Sequence, residues 1–344
     1  MTQTLNFRGV LKILKGDDPE NLRVIVGLIL RGEPVALPTE TVYGLAADAL
    51  NPDAVHSVFS IKKRPANDPL IVHAANLEQV ESIAFAPPVL KKLAKSFWPG
   101  PLTIILRKKD IVPDIVTSGL PTVAVRVPSH PLFRKILLDA NRPLAAPSAN
   151  PFGYVSPTQA EHVVSSFAEN CPVVLDGGPT DHGIESTILS LDDPKQPKIL
   201  RLGPLSPNDL AQVLGCMPVI VPSINDAIPM APGCMKRHYS PNVALKLHHD
   251  QASIKNEVEG CTNPRSVGVL LLQRSAESKK FPSGIKLLCL SEEGNLREAA
   301  SRLYDSLRKM DSDPLLEIVH CETLSDRGIG AAINDRLRRA ASQD

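Results

Sequence analysis

The sequence predicts an α/β protein of two domains. Three observations carry this expectation. The chain has 344 residues, 43% of them hydrophobic, which suits two cores at about 150 residues per domain. Segments rich in β-formers alternate with segments of helical periodicity. The alternation is interrupted once, by a proline-rich stretch: seven prolines (204, 207, 218, 222, 229, 232 and 241) fall between residues 201 and 241. Within it, residues 218–241 show little periodicity and read as a linker. The expected organisation is therefore a first domain at 1–215, a linker at 216–241 and a second domain at 242–344.

In chain order, residues 17–31 open with acidic residues and a proline and continue with apolar positions at helical spacing, so they read as a helix ended by Gly32. A short strand follows at 34–37, a helix at 51–63 and a strand at 70–73. Two helices are expected at 77–84 and 88–97, then strands at 102–107 and 123–127. A helix at 131–140, a short strand at 144–146 and a helix at 158–167 come next. Strands at 173–176 and 186–191 complete the pattern, with a further strand before Arg201. Beyond the linker the pattern is strand 243–247, helix 251–258, strands 267–272 and 285–290, helix 292–309, strand 316–320 and helix 331–341. That is compatible with a compact doubly wound unit.

Charge is balanced, 38 Lys and Arg against 37 Asp and Glu. This argues against a disordered charged chain and against sequence-blind binding of nucleic acid. With aromatic residues at 4%, base-stacking platforms are not expected. Residues 62–126 depart from the balance, with ten basic against five acidic side chains, so a local positive surface is expected. The six cysteines form no CxxC pair and read as reduced thiols, mostly in the core. No apolar run approaches the roughly 20 residues that span a bilayer. A cytoplasmic protein without a membrane contact is the expectation.

Five segments have residues suited to chemistry. Leu37-Pro-Thr-Glu-Thr-Val-Tyr-Gly-Leu45 brings two hydroxyls, a carboxylate and a phenol to the end of a strand; a capped turn would use the same residues. Lys62-Lys-Arg-Pro-Ala-Asn-Asp-Pro-Leu-Ile-Val-His73 places cations before a proline-bracketed loop, which suits a polyphosphate. Lys63 reads as a charge complementing the helix dipole. In Thr122-Val-Ala-Val-Arg126, alternation puts Thr122, Ala124 and Arg126 on one strand face, where the arginine needs either a salt-bridge partner or an anion. Ala146-Pro-Ser-Ala-Asn150 and Val155-Ser-Pro-Thr158 offer loop amides and hydroxyls, although Ser156 or Thr158 also suits a helix cap. Leu175-Asp-Gly-Gly-Pro179, Gly183-Ile-Glu-Ser-Thr187 and Arg201-Leu-Gly-Pro204 combine close backbone approach with an arginine. There is no Walker loop, no GxSxG elbow and no HExxH. Arg327-Gly-Ile-Gly-Ala-Ala-Ile333 lacks a third glycine and reads as the start of a helix. His248–His249 reads as a solvated strand end.

Taken in order, PTETVYGL, KKRP with DPLIVH, FWPGPLT, TVAVRVPSHP, APSAN, SPT, DGG and ESTI closely resemble the YrdC/Sua5 family of L-threonylcarbamoyladenylate synthases. The resemblance spans roughly residues 15–205. The segment Ala231–Pro241 resembles the linker of the long, two-domain form. The resemblance implies a twisted open-sheet YrdC-like (DHBP-synthase-like) domain with a positive cleft, a smaller Rossmann-like Sua5 domain, and a linker folding over the cleft. It implies condensation of L-threonine, bicarbonate and ATP (with Mg²⁺) to threonylcarbamoyl-AMP and pyrophosphate. A partner complex then transfers the threonylcarbamoyl group to adenosine 37 of tRNA, with at most weak contact between this chain and tRNA itself.

Residue by residue, the resemblance assigns L-threonine to Thr41, His73, Arg126, Ala146 and Ser186. It assigns ATP to Arg64, Asp68, Thr122, Ser148, Asn150, Ser156 and Arg201. Lys62 and Arg64 match the family's KxR motif and are the expected catalytic cations; Ser148 and Asn150 match its SxN motif. Lys236 stands where the family commonly has a tyrosine over the nucleotide, and is assigned to phosphate instead. Two other readings compete. One is a non-catalytic RNA-binding module of the same fold. The other, ranked last, is a carbamoyl-transfer relative, which would need zinc-finger cysteine spacing.

Overall fold

The structure is a computed structural model and describes residues 12–221 and 238–342. The described residues form two compact units. The first holds 12–152, 156–181 and 185–221; the second holds 238–342 together with the short segments 153–155 and 182–184.

In the first unit the elements are β1 (Ile13–Lys15), α1 (Pro19–Leu30), β2 (Val35–Leu37), β3 (Gly44–Asp48), α2 (Pro52–Lys62), β4 (Ile71–His73), α3 (Leu77–Ile83), α4 (Pro88–Phe97) and β5 (Leu102–Arg107). They continue with α5 (Asp114–Thr117), β6 (Thr122–Arg126), α6 (Pro131–Ala140), β7 (Leu144–Ala145), α7 (Ala160–Phe167), β8 (Val173–Asp176), β9 (Thr187–Ser190), β10 (Lys198–Arg201), α8 (Pro207–Leu214) and β11 (Val219–Ile220). Helix starts follow the capping chemistry of the sequence. Asp18 accepts from the Glu20 amide ahead of α1, and Asn51 accepts from the Asp53 and Ala54 amides ahead of α2. Ser206 and Asp209 close a capping box on α8.

The strands form one mixed sheet in the order β1-β8-β2-β3-β7-β4-β6-β5-β9-β10-β11. Side-chain alternation divides its faces. Around β4, β6, β5 and β9, Val72, Val123, Val125, Ile104 and Leu189 join a core with residues of α2, α3, α4 and α8. The opposite face of the same strands has a smaller apolar cluster, Ile71, Ile105, Ala124, Ile188 and Leu200. Thr103, Thr122 and Arg126 share that second face by alternation, and so does His73.

The second unit contains β12 (Ala244–His248), α9 (Gln251–Val258), β13 (Val267–Leu271), β14 (Lys286–Cys289), α10 (Leu296–Asp311), β15 (Ile318–Glu322) and α11 (Ile329–Ala340). Its four strands are all parallel, in the order β12-β15-β13-β14. Ile254 and Val258 of α9 pack on Val267, Val269 and Leu271. A methyl group at Gly268, on the other face of β13, would lie 3.1 Å from Met310 Sδ of α10. Helices therefore cover both faces, as the doubly wound reading requires. The Arg327–Ile333 motif does start a helix. Gly330 is required there, because a Cβ would meet the Ser325 carbonyl at 2.1 Å.

Several expectations are revised. β1, β3, α5 and α8 have no counterpart in the sequence reading; β3 is Gly-Leu-Ala-Ala-Asp, without β-branched residues, and takes its place by pairing between β2 and β7. Residues 219–220, expected in the linker, pair in parallel with β10 and extend the first sheet. Residues 222–237, including Lys236, lie outside the described residues. His248 is not a solvated strand end: its Nε2 lies 2.9 Å from Nδ1 of buried His320. Among the described cysteines, Cys321 is buried, Cys216 is exposed and the other three are half-buried. No described helix is long and apolar enough to cross a membrane.

Candidate functional site

The site starts from the register of β4 on β6, which sets His73 beside Arg126. Thr39 organises the turn after β2: its hydroxyl accepts from the Thr41 and Val42 amides and donates to the Val42 carbonyl. The turn aims Glu40 and Thr41 at Arg126. The guanidinium donates from Nη1 to Thr41 Oγ1 (2.9 Å) and from Nε to the Gly100 carbonyl (3.2 Å), and its Nη2 lies 2.7 Å from Glu40 Oε1. Both ends of this ion pair are at most 3% exposed. Burial pushes the Glu40 carboxyl up, but the charge and hydrogen bond of Arg126, with the Glu40 and Ser129 amides, outweigh it and hold the group below its usual value. Arg126 thus has the salt-bridge partner that its strand position demanded.

His73 is buried 5.1 Å from the Phe133 ring. Burial, with the nearby charge of Arg126, pushes its pKa down to about 3, so the ring is neutral. The Ala146 amide donates to the Ile71 carbonyl, tying β7's exit to β4. Gly44 bridges to Ser148, and the Leu45 and Ala149 amides donate to the Pro147 and Tyr43 carbonyls. This pairing holds the Ala-Pro-Ser-Ala-Asn loop against β3. Tyr43 reaches the other way: its hydroxyl donates to the Gly178 carbonyl (2.7 Å) and accepts from the Gly177 amide (3.1 Å). Gly177 must be glycine, since a Cβ would come within 2.6 Å of Pro38.

A second cluster gathers at the end of α2. Lys62 is buried and donates to the Ser148 carbonyl (2.5 Å) and to the Asn150 carbonyl. Burial, then the charge of Arg64, pulls its ammonium well below the usual lysine range, against the opposing charge of Asp68. Arg64 lies 2.8 Å from Asp68 Oδ2 and donates to the Asp68 and Pro69 carbonyls. Asp68 is fully buried. Burial pushes its carboxyl up, while the charges of Arg64, Lys62 and Arg201 pull against that rise.

Arg201 arrives through a β-bulge. Ile199 pairs with Leu189, but Arg201 pairs with Ile188, so Leu200 and Arg201 together oppose one residue. Simple alternation would send Arg201 to the helix-covered face with Ile199. The extra residue turns it to the face of Ile188 instead. There it donates from Nη2 to Ser186 Oγ (3.1 Å) and from Nε to the Ser186 carbonyl (3.1 Å). The Ser186 hydroxyl also lies 2.7 Å from that of Thr103. Ser156 donates to Glu185 (2.7 Å). Neither it nor Thr158 caps α7, whose first flanking residue is Gln159 without a side-chain cap.

Thr41, His73, Arg126 and Ala146 therefore adjoin β4 and β6. Lys62, Arg64, Asp68, Ser148 and Asn150 form the second group, and Ser186 and Arg201 a third, whose charge is felt at Asp68. Thr122 lies half-buried at the start of β6, opposite Arg107. Sequence reasoning missed three residues: Glu40, Thr103 and Glu185. A signal existed for two of them. Glu40 is the carboxylate inside PTETVYGL, and Thr103 is the polar residue on the otherwise apolar second face of LTIIL.

A family model for Sua5, YciO and YrdC proteins, described as telomere recombination, matches residues 27–203, just over half of the chain. The chain belongs to the Sua5/YciO/YrdC family. A second model, described as the C-terminal domain of threonylcarbamoyl-AMP synthase, matches residues 205–342, so both units of this Sua5-type chain have family counterparts. Proteins named threonylcarbamoyl-AMP synthase are similar over nearly the whole length. The Pyrococcus abyssi protein is 38% identical, covering 93% of this chain and 94% of its own. The Bacillus subtilis protein is 38% identical, covering 97% and 96%. Among solved structures, P. abyssi Sua5 complexed with L-threonine superposes with a TM-score of 0.87 at 35% identity, covering 96% of each chain. A P. abyssi Sua5 variant with an adjacent histidine and tyrosine replaced by alanine matches with a TM-score of 0.86, also at 35% identity and 96% of each chain.

Proposed function

We propose that this chain is a threonylcarbamoyl-AMP synthase, condensing L-threonine, bicarbonate and ATP to threonylcarbamoyl-adenylate and pyrophosphate. The relatives' names support the activity, and the threonine complex of a relative supports the amino-acid substrate. The observation that carries the reading in this chain is the set of buried cations, Lys62, Arg64, Arg126 and Arg201, three of which act together on Asp68.

In this reading Arg126 binds the α-carboxylate of threonine, with Thr41, neutral His73, the Ala146 backbone and Ser186 completing the subsite. Arg64, Thr122, Ser148, Asn150, Ser156 and Arg201 hold ATP, with Asp68 beside them as the ion-pair partner of Arg64. The threonine amine and bicarbonate form a carbamate with loss of water. A carbamate oxygen then attacks the α-phosphorus in line; the bond to the β-phosphate bridging oxygen breaks, and pyrophosphate leaves with that electron pair. Two anions must approach, so Lys62, Arg64 and Arg201 offset their repulsion and stabilise charge developing on the phosphates. No side-chain nucleophile is needed. Mg²⁺ enters as part of the nucleotide, held by phosphates and water; the described residues include no cluster of three or more His, Cys, Asp or Glu side chains suited to a metal.

We further propose a cytoplasmic location, with a downstream complex passing the product to adenosine 37 of tRNA. The RNA-binding alternative has one supporting observation, the exposed Lys91, Lys92 and Lys95 on α4. Incubation with ATP, threonine and labelled bicarbonate separates the two. Label in a threonylcarbamoyl-adenylate, lost in Arg64→Ala, supports the synthase. Salt-dependent tRNA binding without that product supports the alternative.

A further inference from the structure

The cluster proposed to receive the triphosphate already contains an anion. Asp68 is fully buried, its Oδ2 is 2.8 Å from Arg64 Nη2, and the charges of Lys62 and Arg201 reach it as well. Apart from that ion pair, neither of its carboxylate oxygens is hydrogen-bonded. A buried carboxylate is ordinarily kept charged by several hydrogen bonds from amides or hydroxyls. This one depends on cations alone.

Resting on the nucleotide reading above, we propose that Asp68 is a resident counter-ion of the phosphate subsite, which holds the cations while the subsite is empty and takes up a proton when a nucleoside triphosphate engages them. The physical argument is charge balance. Arg64, Lys62 and Arg201 are the charged groups that act on Asp68. Before nucleotide arrives, the carboxylate offsets their mutual repulsion. Once phosphates share those cations, their pull on Asp68 is divided, and the phosphates repel a carboxylate in the same low-dielectric volume. Burial already favours the neutral acid. The proton comes from solvent, and the protonated acid can donate a hydrogen bond to the group that displaced its charge.

The role carries a cost in affinity. A competing anion weakens ATP binding more as pH rises. With one proton taken up, the apparent dissociation constant for ATP rises by up to about tenfold per pH unit. The neutral isostere Asp68→Asn removes both the competition and the slope.

The test is calorimetric titration of the full chain with Mg·ATP at pH 7.0–8.5, without bicarbonate so that no turnover occurs. Running it in Tris and in HEPES, whose ionisation enthalpies differ, counts protons. The expected result is net proton uptake by the wild type, and none by Asp68→Asn, which binds ATP more tightly and with a flatter pH dependence. Equal proton counts in the two proteins overturn the proposal. If the variant does not fold, zero uptake by the wild type overturns it alone. A wild type that binds no ATP overturns the nucleotide reading itself, a different failure from ATP binding without a proton.

Discussion

Arg126 shows how single residues set the chemistry. The sequence placed it on a strand face and demanded a partner; the structure supplies Glu40, 2.7 Å away. Alternation made Thr122, Ala124 and Arg126 legible as one face, and the parallel register with β4 then brought His73 alongside. Glu40 was visible as the carboxylate of PTETVYGL but not as the partner of Arg126, because a turn carboxylate ordinarily satisfies backbone amides and nothing local shows that it is buried against a distant arginine. Its removal is informative. Glu40→Ala leaves Arg126 as an uncompensated buried charge and is expected to cost about 3–5 kcal/mol in urea unfolding. Because the carboxylate of L-threonine can replace the lost anion, threonine should raise the melting temperature of the variant more than that of the wild type. An equal shift in both would show that Arg126 does not receive the substrate carboxylate.

At the scale of elements, the β10 bulge places a charge on the correct face. Residues 198–201 are Lys-Ile-Leu-Arg, and alternation alone puts Arg201 with Ile199 in the helix-covered core. The extra residue belongs to the pairing with β9, a long-range fact that no local pattern encodes. Arg201→Ala removes the donor to Ser186 while leaving the strand pairing in place. Turnover should fall at least about 100-fold, the scale of losing a transition-state donor. Turnover close to that of the wild type would show that the charge carried by the bulge has no part in the reaction. Gly203 is a related constraint, since a Cβ there would lie 2.4 Å from the Thr187 amide nitrogen. Gly203→Ala is expected to lower the melting temperature by several degrees, read by calorimetry. Helices with Asp or Asn caps were legible, whereas α8, capped by Ser206, was hidden in the proline-rich stretch. β1 and β3 were not, because three residues are too few to show a period and Gly-Leu-Ala-Ala-Asp has no strand propensity.

At the scale of the whole molecule, the two-part organisation was legible from alternation and prolines, and the family resemblance supplied the roles that spacing alone left open. The second unit has a feature that the sequence did not disclose. His248 and His320, on adjacent strands, share a hydrogen bond. Burial, then the other histidine, pushes His320 down to about 4. Unfolded histidine binds a proton near 6.5, so the unfolded state takes up more protons than the folded one between these values. The pair's contribution to stability is present above about pH 6.5 and is lost as pH falls toward 4. Melting temperatures at pH 7.5 and 5 should differ less in His320→Gln than in the wild type; an unchanged difference would exclude the pair as its source. The proposed reaction, however, belongs to the first unit. Its most direct test is pyrophosphate release by the purified chain from Mg·ATP, with threonine and bicarbonate each omitted in turn. Release that requires both is expected. Release indifferent to either, or none from folded protein, would contradict it.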